Sequence, residues 1–234
     1  MQKRIAVLTG AGVSAESGFA TFRDTGGLWE QYDVNEVASI EGWRRNPELV
    51  LRFYNDRRRQ LKDAAPNAAH KAIAELEKDF RVDVITQNVD NLHERAGSTR
   101  VLHLHGELTK VRPNYGLYDR TFREDEVIDV GYDEVNIGDK APGGEQLRPH
   151  IVFFGEAVPN IERAADIVSA ADILLIVGTS MQVYPAAGLY RYARHGCPIY
   201  IIDPASVPVS DPRITHIRDV ATRGMEKMKE ILAK

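Results

Sequence analysis

The chain has 234 residues, with 30 Lys and Arg against 34 Asp and Glu, a formal net charge of −4 and 43% hydrophobic residues. That balance excludes a largely disordered chain and lacks the basic excess of a nucleic-acid-binding protein. Its one cysteine, Cys197, can form neither an intramolecular disulfide nor a cysteine-rich zinc site, and no apolar run approaches the ~18 residues of a membrane span. Met1-Gln2-Lys3-Arg4 runs straight into a strand-like stretch too short for a signal-peptide core, so a cytoplasmic protein is expected.

Ile5 to Thr9 reads as a buried strand, and Gly10 to Gly18 as a glycine-punctuated turn leading towards a helix. Gly18 to Trp29 reads as a glycine-hinged loop that either covers a ligand or is ordinary surface. Helices are expected over 47–62, behind Pro47, and over 68–78, where Ala69, Ile73 and Leu76 share one face. Further strands are expected at 82–86, 172–177 and 198–202, and an amphipathic helix closes the chain over 223–234. Nearly continuous apolar strands alternating with helices imply an α/β fold, a Rossmann-like parallel sheet with helices on both faces. Residues 107–147 break the pattern, being rich in Gly, Pro, Asp, Glu and Asn, with Val127 to Val130 as one short strand. They read as a small inserted lobe. The Rossmann-like domain is then 1–106 with 148–234, and the insert is 107–147.

Three stretches carry candidate chemistry. Gly10-Ala11-Gly12-Val13-Ser14-Ala15 matches G-x-G-x-x-G/A directly after a strand, either a pyrophosphate cradle or a tight turn without a ligand. No acidic residue closes a second strand about 20 residues later, as a usual dinucleotide fold would have. Thr86-Gln87-Asn88-Val89-Asp90 falls where a parallel strand ends, and its amides and carboxylate suit a ribose and a carboxamide, or an Asx-rich helix cap. In Leu102-His103-Leu104-His105-Gly106, strand alternation would put both histidines on one face, as a general base, as structural residues or as part of a metal site.

The ordered set Gly10-Ala11-Gly12-Val13-Ser14, Gly18 with Phe22-Arg23, Thr86 to Asp90, His105-Gly106, Phe154-Gly155-Glu156 and Gly178-Thr179-Ser180 resembles the sirtuins, the NAD-dependent protein lysine deacylases. The likeness spans nearly the whole chain and is greatest to bacterial deacylases carrying the Phe53 to Gln60 pattern. It implies an NAD cofactor held by Gly10, Ala11, Gly12, Ser14, Gly178, Thr179 and Ser180, with Phe22 and Arg23 on a mobile loop. It implies that Gln87, Asn88 and Asp90 bind the nicotinamide ribose and amide, that Asn88 shares in catalysis and that His105 is the general base, with His103 structural. Asp203 and Ala221 would lie at the adenosine end. Acyl-lysine proteins or peptides would add as a strand along Phe154-Gly155-Glu156 and Val183, with Val152 and Phe153 lining the acyl-lysine tunnel and Ile151 in the core. Tyr54 and Arg57, one helical turn apart, would form a clamp for succinyl or malonyl groups, although Arg57-Arg58-Arg59 could equally be a solvated charge run.

The sequence departs from the family in one respect. Most sirtuins bind structural zinc through four cysteines, and the insert has none. A zinc-free lobe is expected, packed through Tyr115, Tyr118, Phe122, Val127, Ile128 and Tyr132. The expected activity is NAD-dependent deacylation yielding nicotinamide and O-acyl-ADP-ribose, with no nucleic acid or membrane partner. ADP-ribosyl transfer or NAD hydrolysis in the same cleft, and an NAD-sensing interaction module, are the competing readings.

Overall fold

A computed structural model describes residues 2–19, 32–116 and 123–233. The apolar runs form a six-stranded sheet in the order β3-β2-β1-β7-β8-β9, from β1 (Arg4–Thr9), β2 (Arg81–Thr86), β3 (Val101–His103), β7 (Ile173–Val177), β8 (Ile199–Ile202) and β9 (Ile214–Ile217). Every neighbouring pair is parallel. The sheet spreads outward from β1 in both directions, which is the Rossmann arrangement with its switch point between β1 and β7.

Strand residues alternate between two apolar layers, as a pleated sheet covered on both faces requires. Ile5, Val7, Val82, Val84, Leu175 and Val177 share a core with α4 (Ala68–Glu75) and α7 (Ala221–Leu232). Ala6, Leu8, Ile85, Leu174 and Ile176 share one with α6 (Ile161–Ser169) and the 3₁₀ segment Ala186–Tyr192.

A second, antiparallel sheet lies between β3 and β7 in the chain, in the order β5-β4-β6, from β4 (Gly106–Pro113), β5 (Ile128–Asp129) and β6 (Leu147–Ile151). It does not pack on itself alone. Leu108, Val111, Val135, Ala141 and Leu147 share a core with Phe53, Tyr54 and Leu61 of α3 (Pro47–Asp63), and with Val37 and Trp43 from α1 (Val34–Val37) and α2 (Ile40–Arg45). Helices α1 to α3 therefore belong with the small lobe, which corrects the division at residue 106. Ile128 and Tyr132 pack against this core from its margin, Val127 is half-buried, and Tyr118 and Phe122 lie outside the described residues. Polar staples reinforce the join. Asn55 Nδ2 donates to the Val135 carbonyl and Asn55 Oδ1 accepts from the Val135 N–H, both at 3.0 Å. Arg58 Nε donates to the Leu108 carbonyl at 2.8 Å. No described helix is long and apolar enough to cross a membrane.

Candidate active site

The sheet register assembles the cleft. Thr9 pairs with Thr86 and with Val177, so β1, β2 and β7 end at one level. The next residues, Gly10, Gln87 and Gly178, start adjacent loops at the carboxyl edge, where open α/β sheets bind ligands. These loops interlock. The Gly12 N–H donates to the Gly178 carbonyl at 2.8 Å. A Cβ on Gly10 would lie 2.7 Å from Thr179 Cβ, and one on Gly178, at φ +62°, would lie 2.3 Å from the Val13 nitrogen. Gln87 Nε2 donates to Thr179 Oγ1 at 3.0 Å, bridging the switch point, and Ser180 beside it is half-buried. The glycine turn contains two 3₁₀ turns, Ala11–Val13 and Ala15–Ser17.

Ser14 is the hub beneath the turn. Its hydroxyl donates to Asp90 Oδ2 at 3.0 Å, and its oxygen accepts from Asn88 Nδ2 at 3.1 Å. His70 Nε2 lies 3.3 Å from the same oxygen, while His70 Nδ1 accepts from the Asn67 N–H at 3.4 Å in a capping box at the start of α4. The proton count assigns the His70 proton to Nε2, which makes Ser14 a donor once and an acceptor twice. Burial pushes the Asp90 carboxyl above the usual carboxylate range, against bonds from the Leu92 N–H and the Ser14 hydroxyl. His93, whose ring lies 4.9 Å from that of His70, bonds Thr9 Oγ1 through Nε2 at 3.0 Å. Burial holds His70 down to about 4 and His93 well below its ordinary value.

His105 and His103 do not share a strand, because β3 ends at His103 and Leu104-His105 bends into β4. They are related differently: His105 Nδ1 meets the Gln87 carbonyl at 3.0 Å and His103 Nδ1 meets the next carbonyl, Asn88, at 2.9 Å. A carbonyl only accepts, so the His105 proton sits on Nδ1 and Nε2 keeps its lone pair. Burial lowers the His105 pKa, against the pull of the Gln87 carbonyl, which keeps that lone pair available near neutral pH. Gly106 has φ +84°, and a Cβ there would lie 1.9 Å from the His150 carbonyl oxygen. The bend that places His105 thus needs glycine next.

Tyr54 and Arg57, the expected acyl clamp, are 3% and 2% exposed. Burial raises the Tyr54 phenol, and the ring lies 5.9 Å from that of Phe153. The Arg57 guanidinium lies 3.7 Å over the Phe19 ring and donates to Gln60 Oε1 at 3.0 Å. Burial pushes it down to about 10, with Asp90 and then Tyr54 pulling it back up. Two of the three arginines in the run are therefore interior, and a solvated charge run is ruled out for Arg57 and Arg58.

The Val152 N–H donates to the His105 carbonyl at 3.0 Å, tying the expected tunnel segment to His105. Phe153 is buried, packed on Trp43, Tyr54 and Arg148; Ile151 is core as expected. The exposed aromatic is Phe154, whose backbone bonds Ala38 and Ile40. Glu156 accepts from Arg148 Nη1 at 2.8 Å and Nη2 at 3.0 Å and from the Phe153 N–H at 2.8 Å, so its carboxylate holds the turn. Gly155 is exposed at φ +93° and Val183 is half-buried. At the far end Asp203 follows β8, and Oδ1 accepts from the Ala205 N–H. The Ala221 side chain is buried in the core at the start of α7, so only its backbone remains for an adenosine contact. Phe22 and Arg23 lie outside the described residues.

The sequence reading missed His70, His93, Glu94 and Arg148. A capping pattern, Asn67 followed three residues on by His70, was the only local signal among them. Among the described residues, no three His, Cys, Asp or Glu side chains group as metal ligands would.

Fold and cleft define a doubly wound α/β protein with a polar, histidine-containing site at its switch point. The Sir2 family model matches residues 10–185, and the chain belongs to that family, the sirtuins. It is 54% identical over 231 residues to an NAD-dependent protein deacylase of Bacteroides thetaiotaomicron, covering 98% of each chain. It is 49% identical to a Helicobacter pylori protein of the same name, covering 99% of this chain and 97% of that one. A Sir2 homologue–ADP-ribose complex superposes with TM-score 0.87 at 37% identity, covering 99% of this chain and 94% of the other. A Sir2 homologue–NAD complex superposes at 0.85, covering 99% and 90%.

Proposed function

We propose that this protein is an NAD-dependent protein-lysine deacylase. The observation that carries the reading is the buried Ser14–Asn88–Asp90 network beside a histidine with an unprotonated Nε2. The donor set fits a dinucleotide: a turn with no room for side chains at Gly10 and Gly178, and amide, hydroxyl and carboxylate groups where a ribose and carboxamide would lie. Gly10, Ala11, Gly12 and Ser14 would face the phosphates on one side and Gly178, Thr179 and Ser180 on the other, with Asp203 and the Ala221 backbone towards adenosine. Bound NAD supplies an electrophilic ribose carbon with nicotinamide as leaving group. Asn88 and Asp90, locked through Ser14, orient the ribose. His105 Nε2 takes a proton from a ribose hydroxyl as the acyl group transfers. One water is consumed as the lysine C–N bond breaks, and free lysine, nicotinamide and O-acyl-ADP-ribose leave. The peptide would lie as a strand between Gly155 and Val183.

The acyl preference we infer is for acidic groups, succinyl or malonyl, with acetyl also accepted. A buried phenol and guanidinium on one helical face, Tyr54 and Arg57, support this, because a planar donor fork suits a carboxylate. We also infer that the small lobe works without zinc, since its strands already share an apolar core with α3.

The test is incubation with NAD and paired succinyl-lysine and acetyl-lysine peptides, with His105→Tyr as control and products read by mass spectrometry. Succinyl removal with O-succinyl-ADP-ribose, absent in the variant, is expected. Nicotinamide release with the peptides unchanged would point to NAD hydrolysis or ADP-ribosyl transfer, and no turnover would favour an NAD-sensing module. Stoichiometric zinc in the purified protein would overturn the zinc-free lobe.

A further inference from the structure

Behind the cleft lies a pair that the reaction just proposed does not use. His103 is 8% exposed and both its ring nitrogens are engaged, Nδ1 2.9 Å from the Asn88 carbonyl oxygen and Nε2 2.9 Å from Glu94 Oε1 on α5 (Leu92–Ala96). A carbonyl and a carboxylate are acceptors only, so both contacts are hydrogen bonds only if both nitrogens carry protons. A neutral imidazole has one. His105, with its single carbonyl partner, makes no such demand. The His103 backbone is fixed as well, its carbonyl accepting from Asn160 Nδ2 at 2.9 Å.

We propose that His103 is a positioning residue, locked as an imidazolium between Glu94 and the Asn88 carbonyl, and that this lock holds the Gln87–Asp90 segment in its cleft geometry. Its catalytic consequence rests on the deacylase reading; the lock itself does not. Burial works against the charge, and the bond and charge of Glu94, with Glu107 on β4, more than offset it. The other groups facing the pair are Asp90, His70, His93 and His150, the three histidines kept neutral by burial, with Lys110 acting on Glu94. Loss of one proton breaks the arrangement. The remaining proton stays with the carboxylate, and the Nδ1 lone pair then faces the Asn88 oxygen. In Glu94→Gln the side-chain amide can donate to Nε2 while Nδ1–H keeps Asn88, so a neutral ring satisfies every partner.

Nitrogen-15 NMR of the histidine rings across pH 6 to 10, with His103→Gln to assign the signal, tests this directly. Both His103 nitrogens are expected in the protonated range at pH 7, and the Asn88 side-chain amide is expected to shift with the midpoint at which His103 titrates. In Glu94→Gln the ring should read as the neutral Nδ1–H form and the Asn88 shift should vanish. Nicotinamide exchange by the wild type should fall on the alkaline side with that midpoint, roughly tenfold per pH unit beyond it as for loss of one proton. Glu94→Gln should lose this limb and keep its KM for peptide. A neutral His103 at pH 7 in the wild type, or an alkaline limb unchanged in Glu94→Gln, would overturn the proposal. If the wild type neither cleaves NAD nor deacylates, the deacylase reading fails, and the ring and Asn88 signals still decide the lock.

Discussion

Arg57 and Arg58 are neighbours in the chain with opposite assignments. Arg58 is stapled to Leu108 and Asn55 and joins α3 to the second sheet. Arg57 lies over Phe19, within the field of Asp90, at the acyl side of the cleft. Only Arg59 of the run is largely exposed. Replacing Arg57 by Met keeps most of the volume and removes the carboxylate partner. Desuccinylation should then fall by about 1–3 kcal/mol of transition-state binding, the range of a hydrogen bond to a charged group, with deacetylation spared. Paired kcat/KM measurements check it, and equal loss of both activities would reject the clamp. The residue types of the cleft were legible in the sequence; their connections were not. Ser14, Asn88 and Asp90 meet only because Thr9 and Thr86 are in register, and His70 arrives from a helix start more than fifty residues from the turn.

Helix α3 and strands β1, β2, β7 and β8 could be read from apolar runs and helical spacing. Strands β3 and β9 could not, being three and four residues long, and β9 carries Thr215 and His216. β6 hides for another reason: it contains Arg148, Pro149 and His150, a strand whose interior partner is an ion pair. Arg148 is 1% exposed and Glu156 16%, with Arg112 of β4 3.5 Å from the same carboxylate. This ion pair fixes the turn between β6 and the peptide segment. Glu156→Gln would leave two buried guanidinium groups without their carboxylate, at a cost of about 3–5 kcal/mol. Denaturant unfolding should register it as a lower midpoint, and a change below 1 kcal/mol would mean the ion pair is not what holds the turn.

For the molecule as a whole, the buried neutral histidines set an acid limit. Burial holds His70 and His150 down at about 4 and His93 well below its ordinary value, while an unfolded chain protonates each near 6.5. Between those values the unfolded state binds more protons, so stability falls as pH drops from about 6.5 towards 4. His103 runs the other way: its raised pKa contributes stability below 6.5 that is lost as pH rises through the folded value. With His105, which burial also lowers, there are four groups against one, and unfolding free energy should decline by several kcal/mol from pH 7 to pH 5. His70→Gln should shallow that slope, and a slope unchanged in the variant would remove His70 from the account.

The second sheet leaves the large unit at Gly106 and returns at Ile151, which are partners in the β4–β6 ladder, and the His105–Val152 bond closes the exit one step further on. Pro113 and Leu147 pair at the other end of that ladder, so the connection between them, which carries β5 and the core residues Val135 and Ala141, is closed at its base. For such a loop the entropy of closure grows only with the logarithm of its length, about 0.6 kcal/mol per doubling. The exposed stretch 136–140 can lengthen or shorten at little cost to β3 and β4, which flank His105.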